Sequence, residues 1–144
     1  MMRYVAGFLM AADGTVALVR KQKPAWQAGK LNGIGGKIEE GESSKQAMVR
    51  EFYEETGCFV APELWRQFAV LADGSENWRV HFFVCHVAEM LMLRTMEAEE
   101  IVVLPIDSVT IDNAIPNVTW LIPMAQTIGR GERAESFQVE EVCA

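Results

Sequence analysis

The sequence predicts an α/β chain in which helices cover a mixed sheet, and three observations carry that prediction. Two pairs of β-rich runs are each closed by a tight-turn signal, Asp13-Gly14 in the first and Asp73-Gly74-Ser75-Glu76-Asn77 in the second. Between them lies a helix crowded with glutamate, bounded by Ser43 and Gly57. A short strand and an apolar helical run follow, and this alternation buries its apolar faces best as helices laid on a sheet.

Each element has a local reason. Tyr4–Ala12 and Thr15–Lys21 are rich in strand formers and flank the Asp13-Gly14 turn. Lys23–Lys30 is a polar loop broken by Pro24 and Gly29, and Leu31–Ile38 leads into a glycine-rich turn. Ser43 is placed to cap a helix that starts near Ser44, with Gln46 completing a capping box and Gly57 supplying the left-handed stop. At 100° per residue, Ala47, Glu51, Glu54 and Glu55 share one face, while Met48, Val49, Phe52 and Thr56 share the face that packs. Leu64–Ala72 and Trp78–Ala88 form the second antiparallel pair, with an apolar density that suits cover on both faces. Ile101–Pro105 reads as a short buried strand, and Asn117 as the cap of a helix over Val118–Ile128 that must accommodate Pro123. Alternating Phe137, Val139 and Val142 make the tail a candidate edge strand or a mobile segment.

Composition narrows the function classes. A chain of 144 residues, half of them apolar, buries one core, so residues 1–144 are expected to form a single domain. The net charge of −7, with no basic run longer than Arg20-Lys21-Gln22-Lys23, argues against long nucleic acid as the principal partner. A small polyanion that arrives with its own metal fits that charge. Cys58, Cys85 and Cys143 lack CxxC spacing, so reduced thiols and a cytoplasmic setting are expected. No stretch reaches the roughly 18 apolar residues of a membrane span. Oligomeric state stays open.

The glutamate helix carries the chemistry. Carboxylates at i, i+3 and i+4 repel, and near a helix C-terminus the macrodipole disfavours anions as well. A hard divalent cation, which takes oxygen ligands, would compensate both. A run of acids is ordinarily a solvated face. Here the spacing is fixed: Gly36, five residues, Glu42, seven residues, then Arg50-Glu51-Phe52-Tyr53-Glu54-Glu55-Thr56-Gly57-Cys58.

That pattern resembles the Nudix box, G-x5-E-x7-R-E-U-x-E-E-x-G-U with U apolar, at every fixed position. The resemblance implies an α/β/α sandwich with a curved mixed sheet and a hydrolase of phosphoanhydrides. It implies Mg²⁺, with Mn²⁺ as the alternative ion, held by Glu51, Glu54 and Glu55 and the Gly35 carbonyl. Arg50 would hold the glutamates through its fork of donors, with Glu42 in support. The loop Met96–Glu100 offers Glu97, Glu99 and Glu100 as general base, of which Glu100 is carried as the candidate, and Glu51 is the alternative. Gly29-Lys30-Leu31-Asn32-Gly33-Ile34-Gly35-Gly36-Lys37 is similar to a substrate-binding stretch of the MutT-like branch, with Leu31 in place of a tryptophan. Asn32, Gly36, Lys37 and Asn117 are the substrate contacts this suggests, Asn32 and Asn117 on the base. The aspartate pair that reads an oxidised base in this branch is absent near Asn117.

The expectation is therefore Mg²⁺-dependent hydrolysis of a nucleoside triphosphate, a purine or modified one, to monophosphate and pyrophosphate. Alternatives are another nucleoside diphosphate-linked substrate, such as a dinucleotide polyphosphate, nucleotide sugar or RNA 5′ end, and a non-catalytic nucleotide-sensing module. Trp26 and Trp78 are open to base stacking or to core packing. His81 and His86, at odd spacing on one strand, point to opposite faces and are poorly placed to share a metal.

Overall fold

The computed structural model describes residues 1–128 and the backbone of a strand over Phe137–Glu141. In chain order the elements are β1 (Met2–Ala11), β2 (Thr15–Arg20), β3 (Leu31–Asn32), β4 (Ile34–Lys37), α1 (Ser44–Thr56), β5 (Arg66–Asp73), β6 (Trp78–Val87), β7 (Glu100–Pro105), α2 (Pro116–Ile128) and β8 (Phe137–Glu141). The strands form one mixed sheet in the order β3-β2-β1-β6-β5-β8, with β4 pairing on β1 and β7 on β2. The β1–β6 and β5–β8 pairings are parallel and the others antiparallel.

Alternation along the central strands sorts side chains to the two faces. Val5 and Leu9 of β1 join Phe83 and Cys85 of β6 beneath Ala47, Met48 and Phe52 of α1. Phe8 and Met10 join Phe82 and Val84 on the opposite face, beneath Val118, Leu121, Ile122 and Ala125 of α2. The result is the α/β/α layering expected, and β6 is covered on both sides. Burial raises the Cys85 thiol to about 11, so it is an inert core residue. Among the described residues Cys58 is likewise unbridged, and Cys143 lies outside them. Among the described residues no helix is long and apolar enough to cross a membrane.

Helix α1 begins as its sequence dictates. The Ser43 hydroxyl accepts from the Gln46 backbone N–H at 3.1 Å while the Gln46 side chain accepts from the Ser43 N–H at 2.9 Å. Gly57 ends it at φ 75°, left-handed backbone that a side chain rarely adopts. Its buried face differs from the expected one, because Ala47 and Glu55 turn inward with Met48, Phe52 and Thr56. Phe52 fixes that rotation by packing edge-on against Trp65, with ring centroids 5.1 Å apart.

Two other expectations are corrected. β7 is half-buried, since among the described residues it pairs with β2 alone, at the rim of the sheet. α2 starts at Pro116 rather than beyond an Asn117 cap, because proline suits a first helical position, and the helix runs on through Pro123. The loop over Lys23–Lys30 contains a 3-10 turn at Ala25–Gln27. The tail supplies an edge strand, β8, while Val142 lies beyond the described residues.

Candidate active site

The glycine strand and the glutamate helix meet closely. A β-carbon on Gly36 would lie 2.5 Å from the Glu51 carboxyl carbon, and one on Gly35 would lie 1.9 Å from the Val5 carbonyl oxygen. Only bare backbone lets β4 sit between β1 and the carboxylates of α1.

Arg50 organises the acids around that seam. Its Nε and one terminal nitrogen donate to the two oxygens of Glu42 at 2.7 and 2.9 Å. That same terminal nitrogen also donates to the Lys37 carbonyl at 3.0 Å. The other donates to Glu51 at 2.9 Å and to Glu54 at 3.2 Å. All five N–H groups of the guanidinium are thereby used. Arg50 holds the Glu42 carboxyl below the usual range, and the arginine itself is driven further toward its charged form.

Glu55 stands apart from this network. It is 9 % exposed, and its Oε2 is buried without a hydrogen-bond partner among the described residues. Burial, then the charges of Glu51 and Glu97, push its carboxyl up to about 8. Glu51 is also raised, by burial against the lowering effect of Arg50. The helix thus carries one acid short of positive charge beside two that share an arginine. Among the described residues, no three His, Cys, Asp or Glu side chains are gathered to hold a metal as they stand, because Arg50 draws Glu51 and Glu54 to itself. The donor chemistry nonetheless suits a hard cation: oxygen ligands only, with an orphaned carboxylate oxygen among them.

The loop acids separate into different roles. Glu97 acts electrostatically on both Glu51 and Glu55. Glu99 accepts from the Gln22 N–H at 2.6 Å and from Lys21 at 2.9 Å, contacts that outweigh its burial and lower its carboxyl. Glu100 opens β7 and pairs with Arg20 at 3.4 Å on the surface, so the structure does not bring this candidate base to the cluster. Strand formation is the reason, since β7 aligns Glu100 with Arg20.

The two asparagines lie on connected segments. Leu31, beside Asn32, donates its backbone N–H to the Asn113 carbonyl and accepts from the N–H of Ile115, two residues before Asn117. Asn32 Oδ1 accepts from the Gly33 N–H at 2.7 Å, and its amide donates to Gln27 at 3.3 Å. Asn117 Oδ1, near the start of α2, is buried without a partner among the described residues. Gln27 was not foreseen, as nothing in its spacing separates it from other loop residues. Trp26, beside it, is 67 % exposed, whereas Trp78 packs against the α2-side core. Lys37 is exposed at the end of β4.

A mixed sheet between two helices, with an arginine-gathered glutamate cluster at a glycine seam, defines a class: the chain belongs to the NUDIX domain family, which matches residues 1–125. Its particular relatives act on nucleotides by name. It is 34% identical over 70 residues to an 8-oxo-dGTP diphosphatase of Escherichia coli, covering 49% of this chain and 53% of that protein. It is 40% identical over 53 residues to a CTP pyrophosphohydrolase of the same organism, covering 37% and 39%. The chain thus spans about half or less of the length of these curated relatives. Among solved structures, a MutT studied from Aliivibrio salmonicida and Vibrio cholerae superposes with a TM-score of 0.67 at 22% identity, covering 87% of this chain and 96% of that one. The NUDIX domain of Shewanella oneidensis NrtR, complexed with ADP ribose, gives 0.74 at 17% identity, covering 88% and 87%.

Proposed function

We propose that this chain hydrolyses a nucleoside triphosphate, a purine or modified one, to the monophosphate and pyrophosphate with Mg²⁺, or alternatively Mn²⁺. One observation supports the reading: Glu51 meets Gly36 at the glycine seam, Arg50 holds it together with Glu54, and Glu55 of the same helix keeps a buried oxygen that lacks a partner among the described residues. Glu51, Glu54, Glu55 and the Gly35 carbonyl would hold the ion. When bound, the ion supplies charge neutralisation on the phosphate chain.

The remaining work falls to the chain. Arg50 keeps Glu51 and Glu54 ordered on one guanidinium, and the ion would draw both off it as it binds. Glu97 is the loop acid best placed to take the proton of the attacking water, because its charge already acts on both Glu51 and Glu55. Glu100 remains the rival base, and would have to leave Arg20 to serve. Asn32 and Asn117 contact the base, and Lys37 and Gly36 flank the phosphates.

A second reading has its own observation. A cavity of about 430 Å³ lined by Tyr53, Glu54, Met92, Arg94 and Met96 adjoins the cluster, with room for a group beyond the phosphates. A dinucleotide polyphosphate or nucleotide sugar would use it. The test is a panel of canonical, oxidised and methylated nucleoside triphosphates, nucleotide sugars and dinucleotides with Mg²⁺, scored for pyrophosphate and monophosphate. Pyrophosphate release that Glu54→Gln abolishes supports the proposal. Nucleotide-induced thermal stabilisation without turnover, equal in Glu54→Gln, would replace it with a sensing module.

A further inference from the structure

Away from the glutamate cluster, the α1 face of the sheet carries three basic side chains together. Arg3 of β1 and Arg79 of β6 are directly paired across the parallel ladder, and His81 follows in register with Val5. Residues two apart on a strand share a face, so His81 lies beside both arginines, whose charges act on its ring. Neither arginine forms an ion pair among the described residues.

Hydrogen bonding leaves the same spot unfinished. Among the described residues, Arg79 Nε and His81 Nε2 are both buried without a partner. His81 Nδ1 lies 3.0 Å from the Gln67 side-chain oxygen, which can only accept, so Nδ1 carries the proton and Nε2 is a bare acceptor. The same Gln67 oxygen accepts from the Ser44 hydroxyl at 3.5 Å, tying the ring to the first residue of α1.

Like charges opposed on neighbouring strands are unfavourable, and a chain with a net charge of −7 has acids to spare for neutralising them. An oxyanion would resolve the repulsion and the unused nitrogen together. Guanidinium forks match the oxygens of a phosphate, and His81, once protonated, donates through Nε2. We propose that Arg3, Arg79 and His81 form a phosphate-binding site that takes inorganic phosphate or the phosphate of a small phosphomonoester. The site shares no residue with the glutamate cluster and stands independently of the hydrolytic reading.

The groups around the ring are Arg3, Arg79, Gln67 and Ser44, and β8 brings the Glu140 backbone into register with Ala72, the partner of Arg79. Burial, then the two arginines, lower the His81 imidazole, so at neutral pH it is uncharged until an anion arrives. Binding therefore takes up a proton at this ring and strengthens as pH falls toward the ordinary histidine range.

The chain has two histidines, which makes the test clean. The full-length protein, stripped of metal with EDTA, is titrated with inorganic phosphate and separately with ribose 5-phosphate, while both imidazoles are followed by NMR. Sodium chloride at matched ionic strength is the control. His81 is expected to shift saturably and to titrate at higher pH with phosphate, while His86, whose Nε2 is bonded to the Ala125 carbonyl, stays put. Response to either ligand supports the site, and their comparison says whether the free ion or a monoester is preferred. Arg3→Gln/Arg79→Gln should weaken binding at least tenfold, and Glu54→Gln and Glu140→Gln should retain it. If the double variant does not fold, Arg79→Lys and His81→Gln carry the test, each expected to weaken binding. A His81 response absent with both ligands, matched by chloride, unchanged in the arginine variants or lost in Glu140→Gln overturns the proposal.

Discussion

Replacing Glu55 by Gln should make the metal-free protein more stable at pH 8 while removing a metal ligand. The sign follows from burial. Glu55 ionises near 4.5 when unfolded and at about 8 in the folded chain. The folded state therefore holds a proton that the unfolded state has lost, and stability present below about 4.5 is given up as pH rises through about 8. At about 1.4 kcal/mol for each pH unit between the two values, the ceiling is about 5 kcal/mol. Local relaxation and coupling to Glu51 reduce that to about 2–3 kcal/mol, or roughly 5–10 °C in Tm for a domain of this size. The assay is thermal unfolding in EDTA from pH 5 to 8.5. Wild type should lose stability across that range more steeply than Glu55→Gln, and the two should coincide at pH 5. Mg²⁺ or Mn²⁺ affinity of the wild type should climb with pH through about 8, as the ion displaces the proton. Parallel stability curves for the two proteins would refute the account of Glu55.

Other outcomes follow from the same geometry. Arg50→Lys loses the two-pronged hold on Glu42, and metal affinity measured by calorimetry should fall about 10–100-fold. Gly36→Ala should displace Glu51 and depress ion binding with little change in unfolding midpoint, whereas Gly35→Ala drives a methyl into the Val5 carbonyl and should destabilise by about 3 kcal/mol or more in urea titrations. Phe52→Ala empties the contact with Trp65 and should lower stability by about 3–4 kcal/mol in the same titrations. Trp26→Ala should leave unfolding unchanged and raise KM without lowering kcat, if its exposed ring stacks on the base.

Much of this was legible because the signals are local. The Ser43/Gln46 box, the Gly57 stop and the Asp13-Gly14 turn act within a few residues, and each appears where the chain places it. The spacing from Gly36 to Cys58 likewise marked the glutamate cluster and its arginine. What escaped depends on distant partners. Helical periodicity put Glu55 on an outward face with Ala47, but Phe52 meeting Trp65 sets the rotation of α1 and turns Glu55 inward. Three adjacent loop acids looked equivalent until Lys21 claimed Glu99 and Arg20 claimed Glu100. The basic trio of Arg3, Arg79 and His81 was invisible, since parallel pairing of β1 with β6 is not written in either strand alone.

That same pairing bears on how the chain acquires its shape. Met2 aligns with Trp78 and Ala11 with Val87, so the sheet's central strand leaves the ribosome long before its main neighbour exists. Until then, β2 and β4 are the described strands that can pair with β1, and the edge that β6 will take stays open. Loop-closure entropy must be met before β6 docks, which makes this step the expected bottleneck of folding and the interval of greatest exposure to chaperones or clumping.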